Sequence, residues 1–166
     1  MSETIEQLSQ QLGEVLTNSG QVLAVSESCT GGWIAKALTD VPGSSGWFDR
    51  GFVTYSNRSK QEMLGVAEET LHDQGAVSEK TVREMAVGTL KHSGADVSVA
   101  VSGIAGPGGG SADKPVGTVW FAWASRKGGV LSQRELFSGD REAVRRQSVE
   151  KALSGILKLA VEVKTR

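Results

Sequence analysis

A chain of 166 residues, 39% hydrophobic and 22% charged, has the size and balance of one soluble globular domain spanning 1–166. Its 18 basic side chains against 19 acidic ones leave a net charge of −1, without the basic excess or stripe that nucleic-acid binding needs. One cysteine, Cys29, excludes an intrachain disulfide. No stretch reaches the roughly 18 apolar residues of a membrane span, and Met1–Glu6 lacks the cationic start of a signal peptide, so a cytoplasmic protein with no membrane partner is expected.

Ile5, Leu8, Leu12, Val15 and Leu16 recur at helical spacing, predicting an amphipathic helix over 3–18 that Gly20 stops. Val22–Val25 is a short apolar run ending at Ser26, as in a buried strand. Thr30-Gly31-Gly32 then opens a second helix with Ile34, Ala35 and Leu38 inward, and Pro42-Gly43 is a turn. A second strand lies within Phe48–Tyr55, and short helical pieces follow over 57–73. Ser78 caps a third helix whose apolar face is Val82, Met85, Ala86 and Leu90. Val97–Val101 has the composition of a central strand. After the glycine-rich loop Gly103–Ser111, Val116–Ala124 forms a long strand and Val130–Phe137 hairpins back beside it. Asp140 caps the last helix, which turns Val149, Leu153, Ile156, Leu157 and Ala160 inward. Alternation of strands and helices predicts a partly parallel sheet with helices on both faces, and the late hairpin makes it mixed.

Ligands of open α/β sheets bind beyond the carboxyl ends of strands. Three segments fall near such ends: Ser28-Cys29-Thr30-Gly31-Gly32, Ser102-Gly103-Ile104-Ala105-Gly106-Pro107, and Gly139-Asp140-Arg141. Two open helices, whose free N–H groups and dipole attract anions. Together they suit an anionic ligand such as a phosphate monoester; ordinary turns and caps are the alternative. Neither a P-loop nor a G-x-G-x-x-G dinucleotide fingerprint is present. Arg145 and Arg146 read as a solvated helix face.

His72 and His92, the only histidines, fall on surface helices, and no G-x-S-x-G elbow occurs, so a Ser-His-Asp triad is hard to build. Two distant histidines and one cysteine also leave a zinc site short of ligands, whereas an all-carboxylate magnesium site stays open. A serine hydrolase without histidine needs another base, usually lysine. Ser45 just past the Pro-Gly turn, Tyr55 at a strand end and Lys60 about a helical turn later supply the parts, provided the strand runs back past the serine turn. Lys60 would need its pKa lowered by roughly three units to act as a base near pH 7. Cys29 is the rival nucleophile, with a small buried apolar residue as its plainer reading.

The segments Ala24–Gly32, Pro42–Ser45, Gly51–Asn57 with Lys60, Gly75–Ser78, Ser102–Pro107, Lys114–Thr118 and Gly139–Arg141, in this order, resemble the C-terminal domain family of the competence-damage-inducible protein CinA. The resemblance implies a three-layer α/β/α sandwich with a mixed, mostly parallel sheet of about five strands, commonly in a homodimer. It also implies hydrolysis of the carboxamide of nicotinamide mononucleotide to nicotinate mononucleotide and ammonia, without a metal or other cofactor. Carried over by position, Ser45 is the nucleophile, Lys60 its base and Tyr55 the bridging hydroxyl. Ser28, Thr30, Gly31, Gly32, Ser102, Gly103 and Gly106 line the substrate pocket, and Arg141 meets the phosphate. At 166 residues, no room is expected for the additional N-terminal domain of the larger family protein. A non-catalytic nucleotide-binding module, a competence-related interaction protein and an amidase for another small amide are the competing readings.

Overall fold

The computed structural model describes residues 3–165. In chain order the elements are α1 (Ile5–Ser19), β1 (Leu23–Glu27), α2 (Trp33–Thr39), a 3-10 turn (Ser44–Gly46), β2 (Phe48–Val53), α3 (Asn57–Leu64) and α4 (Glu68–Gln74). Then follow α5 (Glu79–Lys91), β3 (Val97–Gly103), β4 (Thr118–Ser125), β5 (Val130–Leu136) and α6 (Arg141–Thr165). The sheet has five strands in the order β2-β1-β3-β4-β5. β1 pairs parallel with both β2 and β3, whereas β4 runs antiparallel to β3 and to β5. Four strands therefore point one way and only β4 opposes them: the expected mixed, mostly parallel sheet in a three-layer α/β/α sandwich.

The two faces of the sheet differ in side-chain size, and that difference sets the layers. Leu23 and Val25 of β1, Val97, Val99 and Val101 of β3, and Phe121 and Trp123 of β4 form a bulky core with Leu8, Leu12 and Leu16 of α1 and Val149, Leu153 and Ile156 of α6. The alternate residues are small: Ala24, Ala100, Ala122 and Ala124 meet Leu64, Val82, Met85, Ala86 and Leu90 on the other face. Small residues on the pleat let α5 lie close, and Ser98 Oγ donates to the Ala86 carbonyl at 2.8 Å across that interface. Gly88 of α5 is packed so closely on α3 that a methyl group there would overlap the Leu64 carbonyl. This contact fixes α3, the helix that carries Lys60.

Capping follows the sequence closely. Thr4 and Gln7 form a reciprocal capping box on α1, Ser78 accepts from Thr81 N at 3.2 Å, and Asp140 accepts from Ala143 N at 2.9 Å on α6. β1 is buried at every position and lies between the strands that follow it in sequence on either side. The crevice of a doubly wound sheet opens at such a switch point, beyond the strands' carboxyl ends.

Gly88→Ala is expected to cost about 1–3 kcal/mol, because backbone rather than a flexible side chain blocks the new methyl group. Val87→Ala on the exposed side of the same helix serves as the control; urea unfolding of both variants measures the difference.

Candidate active site

Lys60 lies on α3 just after Ser56, whose Oγ accepts from Ser59 N at 3.0 Å and starts the helix. The side chain points inward and is 1% exposed. Its Nζ donates to the Thr54 carbonyl at 2.7 Å and to Ser28 Oγ at 2.9 Å. No carboxylate pairs with this amine among the described residues, and burial takes it down from the usual lysine range to about 8. A substantial fraction is therefore neutral at moderately alkaline pH, with its lone pair next to a serine hydroxyl.

Ser28 is the first residue beyond β1, and its N–H donates to the Val101 carbonyl at 3.0 Å. The β1–β3 register, Glu27 opposite Val101, places Ser102 beside it on the same face. The turn that follows uses glycine where left-handed backbone is required, with φ of 60° at Gly31 and 102° at Gly32. Glu27, fully buried, curls back and accepts from Gly32 N at 3.2 Å, Ile34 N at 2.9 Å and Ala35 N at 3.0 Å. The other side of the turn is held by Arg145, whose Nε donates to the Cys29 carbonyl at 3.1 Å and Nη2 to the Thr30 carbonyl at 3.2 Å.

Ser28, Cys29, Tyr55, Lys60, Ser102, Gly103, Gly106 and Arg141 line a cavity of about 300 Å³, together with Ala76, Val77 and the loop backbone around Gly108 and Gly109. Arg141 closes one side, donating Nη1 to the Gly106 carbonyl at 2.8 Å and Nη2 to the Tyr55 hydroxyl at 3.2 Å. Tyr55 is 63% exposed, a rim residue. Two broader grooves of about 490 Å³ run along α1, one beside α6 and one beside α2, and contain no serine–lysine contact.

Several expectations change. Ser45 lies in the 3-10 turn before β2, exposed, at the amino end of the sheet. Because β2 runs parallel to β1, Lys60 and Ser45 sit at opposite ends of that strand, roughly 20 Å apart at the strand rise per residue. The strand does not run back past the serine turn, and Lys60 meets Ser28 instead. Tyr55 bridges nothing between serine and lysine; its hydroxyl accepts from Arg141. Thr30, Gly31 and Gly32 do not line the cavity, since the N–H groups that open α2 are already taken by Glu27. Ser28, Ser102, Gly103, Gly106 and Arg141 do line it. Arg145 is half-buried against the Ser28–Gly32 turn, not on a solvated face. Cys29 is buried and burial pushes its thiol up to about 12, which keeps it protonated at neutral pH and fits the small buried residue.

The direction of β2 relative to β1 decides which serine Lys60 meets. Two features favour the parallel arrangement: Ser28 follows directly on a buried strand, and two helical stretches, at 33–39 and 57–64, flank a strand that parallel pairing serves best. Glu27 and Arg145 had no motif to mark them. No group of three or more His, Cys, Asp or Glu arranged to hold a metal occurs among the described residues, and no described helix is long and apolar enough to cross a membrane.

The arrangement defines a class: an α/β protein with a buried serine–lysine pair at the carboxyl edge of its parallel strands, under an arginine and a glycine-rich loop. Residues 5–160 match the family described as the CinA C-terminal domain. The chain is 60% identical over 147 residues to nicotinamide-nucleotide amidohydrolase PncC of Escherichia coli strain K12, covering 89% of each chain. It is 58% identical over 159 residues to the protein of the same name from Enterobacter agglomerans, covering 95% of this chain and 97% of that one. Among solved structures it superposes on the competence/damage inducible protein CihA from Agrobacterium tumefaciens with a TM-score of 0.92 at 47% identity, over 96% of this chain and 99% of that one. The chain belongs to the CinA C-terminal domain family.

The buried, protonated Cys29 is expected to resist iodoacetamide at pH 8 in the native protein and to react rapidly in urea. Thiol titration with time in the two conditions measures the contrast.

Proposed function

We propose that the chain hydrolyses the carboxamide of nicotinamide mononucleotide to nicotinate mononucleotide and ammonia, with Ser28 as nucleophile and Lys60 as its base. The observation that carries the mechanism is the 2.9 Å contact between Lys60 Nζ and Ser28 Oγ inside the cavity. The names of relatives 58–60% identical supply the substrate.

Neutral Lys60, held by the Thr54 carbonyl, takes the proton from Ser28 Oγ as that oxygen attacks the carboxamide carbon. The Ser102 hydroxyl, adjacent on β3 and without a hydrogen-bond partner among the described residues, is positioned to donate to the developing oxyanion. One such donor contributes about 3–4 kcal/mol to the transition state. Lys60 returns the proton to the departing nitrogen, which leaves as ammonia. Water activated by the same amine then cleaves the acyl-serine, restoring Ser28. Arg141 binds the 5′-phosphate, so binding energy remote from the amide positions the carbonyl. Tyr55 steadies the Arg141 guanidinium at the rim. No step calls on a cofactor. The resemblance to the CinA C-terminal domain family supports an enzyme that works as a homodimer.

Ammonia release from nicotinamide mononucleotide tests the reading. Ser28→Ala and Lys60→Ala are expected to lose at least about 10³-fold in kcat, whereas Ser45→Ala stays near wild type. Arg141→Ala is expected to lower kcat/KM by about 10–100-fold, mainly through KM. A folded wild-type protein that releases no ammonia, or a Ser28→Ala variant that keeps its rate, rejects it.

The pH dependence has a definite sign. The base form of Lys60 is the deprotonated one, so kcat/KM rises with pH, about tenfold per unit on the acid side, and levels off above a midpoint near 8. A profile of initial rates between pH 6 and 10 locates that midpoint.

A further inference from the structure

We infer that Arg145 is a positioning residue for Ser28: its guanidinium holds the Cys29 and Thr30 carbonyls so that the serine hydroxyl stays on the Lys60 amine. The inference rests on the reading of Ser28 and Lys60 as the reactive pair.

Arg145 lies on α6 one turn beyond Arg141. Its guanidinium pairs with no carboxylate among the described residues. It is spent instead on two backbone carbonyls, Cys29 O at 3.1 Å and Thr30 O at 3.2 Å, while its Cζ stands 5.6 Å from the centre of the Trp33 ring. Two nitrogens of one planar fork on consecutive carbonyls specify a turn geometry that a point charge does not. The turn needs the support. Gly31 and Gly32 give it backbone freedom, and the Thr30 hydroxyl, fully buried, has no partner among the described residues to anchor it. Glu27 fixes the amide groups of Gly32, Ile34 and Ala35, and Trp33 N donates to the Thr30 carbonyl at 3.0 Å, but no backbone group among the described residues holds the Cys29 carbonyl. Arg145 supplies the missing restraint immediately after Ser28.

The same two turns of α6 thus carry both arginines, in different employments. Arg141 faces the cavity and the rim tyrosine; Arg145 faces the back of the nucleophile's turn and does not line the cavity. Removing Arg145 leaves the substrate's own contacts in place and loosens only the serine. The signature is therefore a loss in kcat with little change in KM.

The test compares wild type, Arg145→Lys and Arg145→Ala for ammonia release from nicotinamide mononucleotide, with millimolar methylguanidinium added in one arm. In parallel, iodoacetamide labelling of Cys29, which sits in the held turn, reads its opening without any reference to activity. Expected for Arg145→Ala are a 10- to 100-fold lower kcat, KM close to wild type, faster Cys29 labelling, and partial recovery of both by methylguanidinium. Arg145→Lys, which reaches one carbonyl with a point charge, falls between. An unchanged kcat, a loss confined to KM, or Cys29 labelling as slow as wild type overturns the inference. Should Arg145→Ala unfold, the lysine variant carries the same comparison. Should wild type release no ammonia, the activity reading fails by itself, and the labelling result still decides whether Arg145 holds the turn.

Discussion

Everything at the site depends on an amine buried without a counter-ion. A lysine ammonium removed from water is expensive unless it finds an anion. Lys60 finds a carbonyl and a hydroxyl, which suit an ammonium poorly and a neutral amine acceptably. The fold tolerates this because the cost is confined to the charged form, and deprotonation relieves it. On the proposed mechanism that cost is the functional property: an amine that gives up its proton near pH 8 can serve as a base where an exposed lysine cannot. α3, kept in place by Gly88 against Leu64 and started by Ser56, exists in this position to bring that one side chain under the ends of β1 and β2.

The opposite partner is controlled by charge on both sides of its turn. The Glu27 carboxylate, buried, is satisfied by three backbone N–H groups, so it neither pairs with Lys60 nor reaches the cavity. This matters for Lys60, because a carboxylate pointed at the amine would stabilise its ammonium form and remove the base. By capping α2, Glu27 neutralises the helix end that would otherwise draw an anion to the wrong side of Ser28. On the proposed reading, Arg141, which lines the cavity, is then the cation that takes the anionic group. The chain separates its charges by assigning each to a different backbone task.

The architecture was largely legible because the two faces of each strand carry different residues. Valines and alanines alternating along β3, and the helical spacing of α1, α5 and α6, each report their own environment locally. The glycine loop after β3 and Arg141 were legible for a similar reason, since both follow directly on elements whose ends the pattern marks. The Ser28–Lys60 pair was not. It joins residues 32 apart through the order of strands in the sheet, and the direction of β2 relative to β1 decides which serine Lys60 meets. A hairpin would have delivered Ser45; a parallel pair delivers Ser28. Nor does any local pattern announce that an arginine among helix-surface residues will turn its fork onto carbonyls 116 and 115 positions away. Sequence periodicity fixes what faces the core, while tertiary hydrogen bonds to backbone depend only on where two elements pass each other.

The charge state of the cavity also explains why a neutral base suits the proposed substrate. Among the residues that line it, Lys60 and Arg141 are the only fully ionisable cations and no carboxylate is present. Nicotinamide mononucleotide carries its negative charge on the phosphate and a positive charge on the pyridinium ring, next to the carboxamide. An ammonium at Lys60 would face that ring at short range and oppose it with like charge, in surroundings where screening is weak. A neutral amine removes the repulsion at the reacting end and leaves Arg141 as the single cation for the phosphate at the other. On the proposed reading, the same desolvation that would make Lys60 a base would also orient the substrate, with the cationic ring toward the serine and the deprotonated amine and the anionic phosphate toward the arginine.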